Sequence, residues 1–87
     1  MTEPSPDPEA IAAAIRALVH RRGPGKTLCP SEVARALAPG DWRTLMPKVR
    51  RTADALAAAG EVVVTEKGKV VSACTARGPI RIGLSAP

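Results

Sequence analysis

Apolar residues recur early in the chain with the spacing of one helix face. Ile11, Ile15, Leu18 and Val19 stand at i, i+4, i+7 and i+8, the stripe of an amphipathic helix. Asp7-Pro8-Glu9 precedes that stripe. Asp7 is the predicted N-cap, Pro8 the first helical residue, where a missing N–H costs no hydrogen bond, and Glu9 a first-turn acid. His20, Arg21 and Arg22 close the helix with cations at the negative end of its dipole. Gly23-Pro24-Gly25 stops it and leaves Lys26-Thr27-Leu28 room for a short extended segment.

A second helix is predicted to open at Cys29-Pro30-Ser31-Glu32, with Pro30 at the first position and Glu32 reaching back toward free N–H groups. Val33, Ala34 and Leu37 form its buried side, and Pro39-Gly40 ends it. Asp41 is placed to cap a short turn over residues 42–46. Pro47 then predicts a separate third helix, because inside a continuous one it would cost about 3 kcal/mol. Leu45, Val49, Thr52, Ala53 and Leu56 share one helical face, and Gly60 supplies the stop.

Beyond Gly60 the period shortens. Val62-Val63-Val64 and Val70-Val71 flank Lys67-Gly68 as two strands around a tight turn. Residues 73–77 are irregular, and Gly78-Pro79 introduces Ile80, Ile82 and Leu84, the alternation of one more short strand. Arg22-Gly23-Pro24 and Arg77-Gly78-Pro79 are near copies that each lead into an extended segment. Residues 26–28 and 80–82 are therefore expected to be neighbours in the sheet. Residues 1–6, with Pro4 and Pro6 and no periodicity, are expected to be a frayed tail, residues 7–84 the domain and residues 85–87 a C-terminal tail.

Helix, short strand, helix, helix, hairpin is the order of a winged helix: an α+β, mainly helical domain of three helices, a β-hairpin wing and a short C-terminal strand. Four stretches strengthen that expectation: Arg22-Gly23-Pro24-Gly25-Lys26-Thr27, Cys29-Pro30-Ser31-Glu32-Val33-Ala34-Arg35-Ala36-Leu37, residues 42–51, and Ala76-Arg77-Gly78-Pro79-Ile80-Arg81. Together they resemble a bacterial family of small winged-helix proteins catalogued as a domain of unknown function. The resemblance covers residues 11–84. It implies the fold and carries no established activity.

Composition narrows the partner. The 87 residues hold one Trp and neither Phe nor Tyr, so the core must be aliphatic, and single-strand binding on aromatic platforms is disfavoured. The net charge is +5, which attracts polyanions. Three of the acids lie within the first nine residues, at Glu3, Asp7 and Glu9, whereas residues 42–51 carry Arg43, Lys48, Arg50 and Arg51 with no acid among them. The residues after Met1 are acidic, polar and Pro-rich, and no apolar run approaches the roughly 18 residues of a membrane span, so a cytoplasmic chain with free Cys29 and Cys74 is expected.

Chemistry finds little purchase. Gly25-Lys26-Thr27 imitates the end of a phosphate-binding loop, but His20 stands where that loop needs its first Gly, and a helix precedes it. His20 has no nucleophile or paired carboxylate at suggestive spacing, and two Cys with one His do not make a zinc site. The chain is accordingly expected not to be an enzyme and to need no cofactor or metal. Nucleic acid, with DNA ahead of RNA, is the expected partner of Arg43, Lys48, Arg50 and Arg51 on the third helix and of Lys67 and Lys69 at the wing tip. Arg50 and Arg51 are the candidates to reach a groove, and Asp54 can neutralise one of them across the helix surface. The alternative is a protein-interaction or dimerisation module using the Ala-rich side of the third helix or a sheet edge. There Trp42 is either a core and hinge residue or an exposed anchor.

Overall fold

Asp7 starts the first helix as its N-cap, in extended conformation, with its carboxylate accepting from the Ala10 N–H at 2.8 Å. The computed structural model describes residues 6–85; all of the expected N-terminal tail but Pro6 lies outside them. The elements run α1 (Pro8–Arg22), β1 (Thr27–Leu28), α2 (Pro30–Leu37), α3 (Trp42–Ala58), β2 (Val62–Glu66), β3 (Lys69–Val70) and β4 (Arg81–Leu84). Three helices pack on a four-stranded antiparallel sheet of order β1-β4-β2-β3, an α+β, winged-helix-like arrangement.

The core is aliphatic. Ile11, Ile15 and Val19 of α1 meet Val33 and Ala34 of α2, Leu45, Val49, Ala53 and Leu56 of α3, and Leu28, Val62, Val64, Ile80 and Ile82 from the sheet region. All five residues expected on the inner face of the third helix, Thr52 included, are buried. Burying a Leu or Ile side chain contributes about 1.5–3 kcal/mol, which makes this cluster the main stabilising element of so small a domain.

One expectation fails at Pro47. Residues 42–46 are not a separate turn; α3 is continuous from Trp42, with Pro47 inside it. Pro47 forfeits the bond its N–H would make to the Arg43 carbonyl and crowds that turn, a cost of about 3 kcal/mol. The continuous helix keeps Leu45 in line with Val49 and buries it, worth about 1.5–3 kcal/mol, and it packs Trp42 and Met46 against the core edge. Those gains offset the proline. Asp41 is the N-cap by position, yet its carboxylate accepts the Thr44 hydroxyl at 2.7 Å and no backbone N–H.

The sheet follows the expected neighbourhood. Thr27 pairs with Gly83 and Leu28 with Ile82, so the segments after the two Arg-Gly-Pro sequences do lie side by side. Their glycines do different work. Gly23 has φ +89° and ends α1 in a conformation L residues avoid, whereas Gly78 has no positive φ and lies close against the Glu66 carboxylate. A Cβ there would stand 2.5 Å from Glu66 Oε2, the oxygen that accepts the Gly78 N–H at 2.8 Å. Lys67 and Gly68, with φ +53° and +84°, form the hairpin turn, as expected of a two-residue loop with left-handed backbone. The central partner of β2 is β4; β3 is a two-residue edge. The ladder also runs past Leu84, since the Ser85 N–H donates to the Glu61 carbonyl at 3.4 Å.

Candidate nucleic-acid interface

With Leu45, Val49, Thr52, Ala53 and Leu56 facing the core, the remaining circumference of α3 divides into two sides. On one side stand Arg50 and Asp54, a turn apart. Arg50, half-buried, donates from Nη1 to the Ala73 carbonyl at 2.9 Å and the Ala76 carbonyl at 3.3 Å. Asp54 accepts from the Ala73 N–H at 2.6 Å, the Cys74 N–H at 3.0 Å and the Ser72 hydroxyl at 2.8 Å. A charged pair on one helix thus clamps both polarities of the irregular segment between β3 and β4, and Ala73 is driven into the core.

Burial alone would raise the Asp54 carboxyl, but the hydrogen bonds from Ala73, Ser72 and Cys74 together hold it below the usual carboxylate range. The hydrogen bond to Asp54, with burial, pushes the exposed Cys74 thiol up, away from thiolate reactivity. Cys29 and Cys74 are both free. Asp54 does not pair with Arg50 or Arg51 as its helical spacing implied. Backbone N–H groups some twenty residues further along the chain reach it instead, and nothing in the local pattern announces them.

On the other side, Lys48 and Arg51 line an open groove between α1 and α3. Its volume is about 680 Å³, and Pro8, Glu9, Ala12, Arg16, Thr52, Ala55 and Leu56 complete the lining, which is mostly apolar. Arg51 is exposed and Lys48 half-buried. Arg16 is already engaged: its Nε and Nη2 grip Glu61 at 2.7 and 2.9 Å, a forked pair that holds α1 to the start of β2 and lowers the Glu61 carboxyl pKa.

The other expected contacts are spread more widely. Arg43 is exposed with its guanidinium carbon 4.4 Å from the centre of the Trp42 ring, and Arg35 of α2 stands at the same distance. Trp42 is half-buried at the core edge, so it joins α2 to α3 and its ring is not a bare anchor. Lys67 and Lys69 are exposed at the hairpin turn beside Val70, which is 78% exposed. The structure therefore brings Lys48 and Arg51 together, sets Arg43 on the tryptophan, and turns Arg50 toward the 72–76 loop.

Acids and cations are used differently. Of the described acids, Asp7, Glu32, Asp41, Asp54, Glu61 and Glu66 accept hydrogen bonds from the chain itself. Arg22 links Glu32, at 2.8 Å, to the Thr27 carbonyl, at 3.0 Å, and Arg81 donates to the same carbonyl. By contrast Arg43, Lys48, Arg51, Lys67 and Lys69 make no ion pair or side-chain hydrogen bond among the described residues. Among those residues, too, no three His, Cys, Asp or Glu side chains cluster as metal ligands, and no helix is long and apolar enough to cross a membrane.

A family model described as "Protein of unknown function (DUF3253)" matches residues 8–85. No curated protein matches the chain.

Proposed function

The chain belongs to that family of unknown function, and because membership names no activity, we propose from its surface that it binds nucleic acid, duplex DNA ahead of RNA, mainly through the phosphate backbone. The carrying observation is the asymmetry of charge use: of the described acids all but Glu9 accept internal hydrogen bonds, while Lys48 and Arg51 on α3 and Lys67 and Lys69 on the hairpin have no ion-pair partner among the described residues. Each such cation can neutralise a phosphate and release a counterion. Arg43 joins them from beside Trp42. Arg50 is left out of the primary contacts, since its guanidinium holds the 72–76 loop.

Backbone contact is favoured over base reading, because the outward positions around Arg51 include Pro47, Ala55 and Ala58, which offer base edges no donor or acceptor. Duplex is favoured over single strands because the sole aromatic ring is flanked by two guanidinium groups and half-buried. Binding without catalysis is part of the same proposal: His20, the sole histidine, is exposed in the last turn of α1.

The test is fluorescence anisotropy of the chain with random-sequence duplex over about 50 to 200 mM salt, where five phosphate contacts give a log–log slope of about −4 to −5. Absence of binding at the low-salt end overturns the proposal. A second reading, pairing with another protein chain at the β3 edge, has exposed Val70 in its favour. The shortness of β3 and the flanking Lys69 oppose it, as both features blunt sheet edges.

A further inference from the structure

The groove between α1 and α3 has more shape than phosphate contact requires. Pro8, Ala12, Ala55 and Leu56 make up its apolar floor, and Lys48 and Arg51 of α3 line it with them. Its volume of about 680 Å³ falls within the range of small-molecule sites, about 300–1,000 Å³. We propose that this groove binds an amphipathic monoanion, a carboxylate bearing an aliphatic chain, with the chain on the apolar floor and the carboxylate between Lys48 and Arg51.

Three observations fix the chemical class. Lys48 and Arg51 are three residues apart on one helix, a spacing that puts both on one surface, and neither has an acidic partner among the described residues. Arg16 is neutralised by Glu61, so the lining holds two available cations against one carboxylate, Glu9. That surplus of one positive charge suits a monoanion better than a di- or polyphosphate. The lining contains no aromatic side chain, so an aryl group would find nothing to stack on and an alkyl chain fits better. The inference does not depend on nucleic-acid binding. Where both occur, the shared Lys48 and Arg51 make the two ligands compete.

The experiment titrates the 15N-labelled full chain with octanoate, and separately with 1-octanol, following amide shifts. The expected result is saturable shifts centred on Ala12, Thr52, Ala55 and Leu56 with octanoate and much weaker ones with 1-octanol. Arg51→Ala should weaken octanoate about tenfold or more, the loss of one charge-assisted hydrogen bond. Ala55→Leu fills the floor with a good helix former; it should abolish the octanoate shifts while duplex binding persists. Absence of saturable shifts at those amides, an equal response to 1-octanol, or an unchanged response in Ala55→Leu would each overturn the proposal. Octanoate uptake by a chain that binds no duplex supports the groove and removes only the nucleic-acid reading.

Discussion

The two open sides of α3 carry similar residues and have opposite roles. Arg50 and Asp54 face the 72–76 loop and are tied to its carbonyls and N–H groups, whereas Lys48 and Arg51 face the α1 groove with no partner among the described residues. Neighbouring cations in the sequence, Arg50 and Arg51, fall on different sides because adjacent helical positions do not share a face. Charge on a helix thus becomes structure where the chain folds back over it. Where no chain returns, it stays available to a ligand.

The largest break of this contrast is Asp54→Ala. It leaves the Ala73 and Cys74 N–H groups and the Ser72 hydroxyl without their acceptor, and Ala73 is fully buried. Urea unfolding should show a loss of about 1–3 kcal/mol, with duplex affinity undiminished at a temperature where the variant is folded. Arg50→Ala is next. It removes the charge-assisted bonds to the Ala73 and Ala76 carbonyls, at 2.9 and 3.3 Å, so about 1–2 kcal/mol should go. Its salt slope should match that of the unsubstituted chain; a drop of about 0.9 would return Arg50 to the phosphate contacts.

Acid sharpens the comparison. The Asp54 pKa is depressed on folding, so its contribution is fully present above the unfolded value, about 3.9, and is lost as pH falls through the folded one. Hydrogen exchange at the Ala73 and Cys74 amides should accelerate below about pH 4 relative to the α1 core, and Asp54→Asn should remove that dependence. Lys48→Ala and Arg51→Ala should have the smallest effect on stability, within about 0.5 kcal/mol. Each should lower the salt slope by about 0.9. A destabilisation equal to that of Arg50→Ala would end the distinction between the two sides.

Much of the fold was legible because its signals are local or periodic. Asp7-Pro8 marked the start of α1, the aliphatic stripes marked the buried faces, Lys67-Gly68 marked the hairpin, and the repeated Arg-Gly-Pro marked the pairing of β1 with β4. Pro47 misled because its backbone cost is local while the compensating burial of Leu45 against other elements is not. The candidate site was legible as a set of cations and illegible as a geometry. Asp54 was the one available clue, a lone acid in a cationic helix stretch, and its helical spacing pointed to the wrong partners.

The sequence by itself determined where the helices begin, which faces are apolar, and that the chain carries excess positive charge, since capping, periodicity and composition act over a few residues or none. Only the tertiary structure decided which cations remain available. That choice depends on a loop some twenty residues away in the chain, whose buried peptide groups needed a donor and an acceptor and found them in Arg50 and Asp54.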